Sequence, residues 1–258
     1  MDMQRSAASS PESTDSAQRF PRTRWTLVLQ AQDKSNATEA HTALNTLCET
    51  YWYPLYAFAR SKGYSEHDAK DFTQGFFLYF LEHDLFSQAD RDKGKLRTFL
   101  VTVFQRYLIR DYRRNEAEKR GGGQSIDSLD ERFEEGEGRY RREPFVNQDP
   151  AEVFLKAWAV SVLDLSRRLL HKEMGAEGKS ESFQALEPFL EPDRERTHSY
   201  EAVARQLGVR QDALRQVVSR FRKRYGELIR AQIADTLEDP SKEAIDEEMR
   251  VLRAAMGW

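Results

Sequence analysis

The sequence predicts an all-α protein of two helical domains joined by a tether. Apolar residues recur at three- and four-residue steps along most of the chain, and strand-like alternation is nearly absent. In the middle, a stretch rich in acids and glycine interrupts the pattern. The 258 residues suffice for two small domains or one ordinary one.

Residues 1–20 are rich in Ser, Ala and Gln and are expected to be disordered. Trp25 to Leu29 would open the folded part, whose first domain is expected over 21–118. Residues 36–60 place Leu44, Leu47, Cys48, Tyr51, Trp52, Leu55 and Phe58 at helical spacing, with Pro54 expected to kink or split the helix. Ser65 and Asp68 resemble a capping box with Asp in place of Glu. The helix that follows turns Ala69, Phe72, Phe76, Phe77 and Phe80 inward. A polar loop, 86–96, leads to a helix over 97–114 with Phe99, Leu100, Val103, Phe104, Tyr107 and Leu108 as its buried stripe. Residues 119–150 read as a flexible acidic tether containing Gly121, Gly122 and Gly123. Asp149-Pro150 then starts a helix carrying Phe154, Ala157, Trp158, Val162, Leu165 and Leu169 inward. A further helix near 180–190 ends at Pro192. The second domain is expected over 151–233, and an acidic extension with an amphipathic helix over 234–258.

No apolar run approaches the ~20 residues that cross a bilayer, and the N-terminus lacks the apolar stretch of a secretory signal. Cys48 alone supports neither an internal disulfide nor a multi-cysteine zinc site. The expectation is a cytoplasmic protein with no metal and no cofactor. Catalysis is not expected either, for the chain shows no nucleophile–base set and no phosphate-binding glycine loop at a helix start.

The net charge of −3 conceals two basic blocks. Arg91 to Arg114 holds eight bases against two acids, and Arg205 to Arg230 does the same. Two separated basic blocks suggest two contacts with a polyanion. In the second block, SYEAVARQLGVRQDALRQVVSRFRKRY (199–225) reads as a helix-turn-helix. Ser199 would cap a helix of about nine residues, Gly208 supplies the turn, and Ala213, Leu214, Val217, Val218 and Phe221 bury the second helix. Its other face carries Arg215, Gln216, Ser219, Arg220, Lys223 and Arg224. Arg and Gln side chains can pair with guanine and adenine edges in a major groove. A solvated basic helix end, favoured by the helix dipole, is the competing reading.

In the first block, basic and aromatic residues interleave, a pattern that can hold an unpaired strand. Phe99 is the best stacking candidate. Phe104 fits the core better, and Tyr107 fits either. Just upstream, Asp68, Asp71 and Gln74 share a helix face at three-residue steps, while His67 is placed on another side. That face is either capping chemistry or a docking surface for a basic partner.

In this order, DAKDFTQ (68–74), a basic-aromatic helix, a tether and a helix-turn-helix resemble the ECF-type sigma factors of bacterial RNA polymerase. The resemblance covers about 41–118 and 155–232. It implies that Asp68, Asp71 and Gln74 dock on the polymerase large subunit. It implies that Lys95, Arg97, Phe99, Arg106, Arg110 and Arg113 capture and melt the −10 promoter element, with Phe99 where the family usually has Trp and Arg106 where it has a base-reading Asn. The second helix of the helix-turn-helix would read the −35 element through Arg215, Gln216, Ser219 and Arg220, with Lys223 and Arg224 along the phosphates. Arg210 stands where a Ser usually caps that helix. The implied partners are core polymerase, promoter DNA and an anti-sigma factor, with no membrane. The alternative is a free-standing helix-turn-helix regulator that binds duplex DNA without polymerase.

Overall fold

The computed structural model describes residues 37–82, 95–117, 130–142, 148–191, 199–237 and 239–258. The expectations for 1–20, Trp25–Leu29, the body of the 86–96 loop, the triple glycine and Pro192 lie outside these residues. The described residues are helical and contain no strand. In chain order they form α1 (Ala37–Ser61), α2 (Glu66–Glu82), α3 (Leu96–Ala117), α4 (Asp130–Arg142), α5 (Pro150–Ala176), α6 (Ser180–Leu186) with a 3-10 turn (Glu187–Leu190), α7 (Tyr200–Gln206), α8 (Gln211–Ala234) and α9 (Lys242–Met256).

Helix α1 is the central post. Its stretch TYWYPLYAFA, 50–59, is buried on every side rather than along one stripe. Helices α2, α3, α4 and α5 pack around it, α5 most extensively. The helix runs unbroken through Pro54, so the expected split does not occur. The lost hydrogen bond and ring clash cost about 3 kcal/mol. Each large apolar side chain buried here contributes roughly 1.5–3 kcal/mol, and the stretch buries several, so burial wins.

The first turn of α2 is fixed by Ser65. Its Oγ accepts from the Asp68 backbone N–H at 3.0 Å and donates to Asp68 Oδ2 at 2.7 Å. Phe72, Phe76, Phe77 and Phe80 then point inward. Phe76 meets Phe104 of α3 edge-on at 5.0 Å between ring centres.

Residues 119–150, expected to form a structureless tether, contain α4, and α4 is seated on α1. Gly136 brings the α4 backbone against Trp52; a Cβ there would lie 2.5 Å from Trp52 Cη2. Next to it, Glu137 is buried and accepts from Arg60 Nε at 3.1 Å, Arg60 Nη2 at 3.0 Å, Arg141 Nε at 2.8 Å and the Tyr56 hydroxyl. Among the described side chains, helix α4 thus docks through a carboxylate and a bare glycine, with Tyr140 packed against the core beside them.

Helix α5 begins as its sequence implies, with Asp149 accepting from the Ala151 N–H at 2.9 Å and Pro150 in the first turn. Two groups of buried residues follow. One joins α1–α3 to Val153–Leu163 of α5, Ile229 and Ile233 of α8, and Met249 and Leu252 of α9. The other gathers Leu170, Phe183, Leu186 and Phe189 with Val203, Ala204, Leu214, Val218 and Phe221. Helices α5 and α8 each contribute to both.

Candidate nucleic-acid interface

The helix-turn-helix is built by its turn. Ser199 caps α7, its Oγ accepting from the Ala202 N–H at 3.4 Å. Gly208 adopts φ +65°, the left-handed region a glycine enters freely. The Val209 N–H reaches back to the Ala204 carbonyl at 2.9 Å and closes the corner. Arg210 stands at the N-cap of α8 and makes no side-chain capping bond. Leu214, Val218 and Phe221 seat α8 in the second core.

The opposite face of α8 is open. Arg215, Gln216, Ser219, Arg220, Lys223 and Arg224 are all exposed, and Arg215, Gln216, Ser219 and Arg220 line one shallow surface. Among the described residues no carboxylate claims those four or Lys223. Arg224 differs. It forms a two-pronged pair with Glu173 of α5, Nε to Oε2 at 2.9 Å and Nη2 to Oε1 at 2.7 Å, and a third bond to Glu227 at 3.0 Å. The hydrogen bond from Arg224 holds the Glu173 carboxyl below the usual carboxylate range. Arg224 therefore fastens α8 to α5 at the edge of the open face.

On α3, Arg106 and Arg110 are exposed. Arg110 donates to the Tyr79 hydroxyl at 3.0 Å with its guanidinium 4.2 Å from that ring centre, which fixes its direction. The Arg113 side chain lies outside the described residues. Phe99 is half-buried, 6.1 Å from Phe80 between ring centres, while Phe104 and Tyr107 belong to the core. Lys95 and Arg97 at the start of α3 are taken by Glu248 of α9. Lys95 Nζ lies 2.6 Å from Glu248 Oε1, and Arg97 donates to both oxygens at 2.8 and 3.2 Å. The Arg97 guanidinium also lies 5.3 Å from the Trp158 ring centre, and its side chain keeps 12% of its exposure. Burial would raise the Glu248 pKa, but hydrogen bonds from Arg97 and Lys95 outweigh it and hold the carboxyl below the ordinary range.

On α2, Asp68 and Asp71 are exposed and Gln74 is half-buried at the edge of the same face. His67 does not lie on another side. One helical turn before Asp71, its Nε2 is 3.5 Å from Asp71 Oδ2. Lys95, Arg97 and Glu248 come together, as do Arg215, Gln216, Ser219 and Arg220, although the two groups occupy different parts of the fold. Sequence reasoning named Lys95, Arg97 and Arg224 and missed the acids that engage them, Glu248 and Glu173. The amphipathic spacing of Ile245, Met249 and Leu252 was the one signal pointing to α9.

The described residues form an all-helical protein with a helix-turn-helix, and with a helix bearing the exposed carboxylates of Asp68 and Asp71 beside a basic-aromatic one. The ECF sigma factor family model matches residues 31–177, more than half of the chain, and the chain belongs to that family. The matched span runs from before α1 to the end of α5, so the helix-turn-helix lies beyond it. No curated protein and no solved structure matches the chain. As a sigma factor it is a non-enzymatic RNA polymerase subunit for transcription initiation, and its partners are core polymerase and promoter DNA. No helix among the described residues is long and apolar enough to cross a membrane.

Proposed function

We propose that the protein directs polymerase to promoters by dividing the contacts among three faces. Asp68, Asp71 and the edge residue Gln74 on α2 dock on the polymerase large subunit. The α3 face, with Phe99, Arg106, Arg110 and Arg113, and with Lys95 and Arg97 when they are free, captures the −10 element and holds it unpaired. The open face of α8 reads the −35 element, Arg215 and Gln216 toward base edges and Lys223 toward phosphates. Docking and phosphate contacts offset the opening of a few base pairs, and unstacked bases settle against aromatic and basic side chains.

The observation that carries this reading is the face formed by Arg215, Gln216, Ser219 and Arg220. Four groups able to hydrogen-bond to bases stand together in solvent over a well-packed helix, with no acid pairing them among the described residues. A solvated helix end has no need of a glycine-turned corner that presents this face.

The test is transcription with purified core polymerase on a fragment library of the source genome, with RNA 5′ ends sequenced. Added protein should create a set of start sites that share two upstream sequence blocks. Arg215→Ala should blur the upstream block. Starts identical to those of core polymerase alone would overturn the reading. So would tight duplex binding that persists unchanged without polymerase, the behaviour of a free-standing regulator.

A further inference from the structure

Helix α9 touches both basic blocks of the chain. Its Glu248 holds Lys95 and Arg97 from the first, and its Asp246 pairs with Arg230 from the second. Ser241 caps it, accepting from the Ala244 N–H at 3.2 Å, and its apolar face puts Met249 and Leu252 into the core shared with α1, α3, α5 and α8. The Glu248 side chain keeps 2% of its exposure, so its two cations are withdrawn from solvent on one side by the same contact. A carboxylate presenting two oxygens to an Arg–Lys pair copies what a phosphate diester offers those residues.

We propose that α9 is an intramolecular lid: Glu248 occupies the Lys95–Arg97 end of α3 in place of promoter DNA, and α9 must leave that end before Lys95 and Arg97 can engage a DNA strand. The lid rests on the promoter-reading function argued above. It is a competitor of matched chemistry, displaced when a DNA strand and polymerase together outbid one carboxylate and one apolar seam. Residues 242–256 thereby set how much of the sigma factor is competent at a given polymerase concentration.

The test compares the full chain with Glu248→Gln, which keeps shape and removes charge. Amide exchange over 242–256 reports the lid, and start-site transcription with core polymerase at limiting sigma factor reports function. Removing one partner of a buried pair shifts its equilibrium by tenfold or more. Exchange in 242–256 and transcript yield should therefore both rise about tenfold. Leu252→Ala, which leaves Glu248 in place and thins the apolar seat, should move both in the same direction and serves where Glu248→Gln does not fold. Faster exchange with unchanged transcript yield overturns the lid and leaves the promoter-reading function standing. Unchanged exchange in both variants overturns the lid as well. A loosened α9 with no transcripts from any of the chains, wild type included, overturns the promoter-reading function and the lid with it.

Discussion

Two glycines two residues apart in α4 offer a test with opposite signs. In a helix, Ala is favoured over Gly by about 1 kcal/mol, so either substitution should stabilise an undocked α4 equally. A Cβ at position 138 meets nothing within 4 Å. At position 136 it would stand 2.5 Å from Trp52 Cη2 and 2.7 Å from Cζ3, so the buried Trp52 ring, packed edge-on against Tyr53 at 5.7 Å between ring centres, would have to shift. Overpacking of this kind costs about 1–3 kcal/mol. The balance for Gly136→Ala is thus destabilising by up to about 2 kcal/mol once the propensity gain is subtracted. For Gly138→Ala the gain of about 1 kcal/mol remains. At this chain length each kcal/mol moves the melting temperature by about 2–4 °C. Thermal unfolding followed by circular dichroism should show Gly138→Ala rising and Gly136→Ala falling, with faster amide exchange over 130–142 in the latter. If both variants rise together, α4 is not seated on Trp52 and the stretch is the loose tether its composition suggests.

Further expectations concern single groups. Arg215→Ala should cost about 1–3 kcal/mol in binding to the upstream element and relax base preference there, whereas Lys223→Ala should weaken all sequences alike and lower the salt slope by about one; salt titrations of promoter binding by the polymerase complex separate the two. Asp71→Arg should abolish capture of core polymerase while leaving the circular dichroism spectrum unchanged, since Asp71 is exposed and pairs only with His67 among the contacts seen; undiminished capture would remove α2 as the docking face. Burial pushes the Glu137 and Glu248 carboxyls up, but hydrogen bonds from Tyr56, Arg141 and Arg60 to the first, and from Arg97 and Lys95 to the second, bring both below the ordinary range. Their contribution is therefore complete above the unfolded glutamate pKa of about 4.3 and is lost as pH falls through the depressed folded values. The urea midpoint should drop between about pH 5 and pH 3, less steeply in Glu137→Gln.

Helix existence was legible because it depends on local signals. Ser65, Asp149, Ser199 and Gly208 each perform the capping or turning chemistry their type allows. The buried aromatics of α2 and α3 followed from period alone. What stayed hidden is non-local. A stripe analysis gave α1 one buried face, yet a helix packed by four others is buried on all sides, and only their arrangement reveals it. Composition made 119–150 a tether because its acids look like solvated charge. Glu137 is instead the residue on which α4 hangs, paired with residues about 80 positions earlier in the chain. His67 was misplaced for a simpler reason, since helical neighbours four apart share a side.

The same distinction sorts the basic residues, which carry the functional argument. Charge density marks Arg97, Arg224, Arg215 and Arg220 alike as polyanion contacts. The fold divides them by whether an acid meets them. Arg224 meets Glu173 across a helix–helix contact inside one module, where the pair braces α8 against α5. Arg97 meets Glu248 on α9, the helix proposed as the lid. Arg215 and Arg220 meet no acid among the described residues. An unpaired surface guanidinium gains more from a phosphate or a guanine edge than one that must first give up a two-pronged carboxylate. Under the proposed function, the expected ranking of these residues for DNA is therefore Arg215 and Arg220 first, Arg97 conditional on α9, and Arg224 last. A run of Lys and Arg read from sequence cannot produce that order, because the deciding acids lie 51 and 151 positions away from their partners.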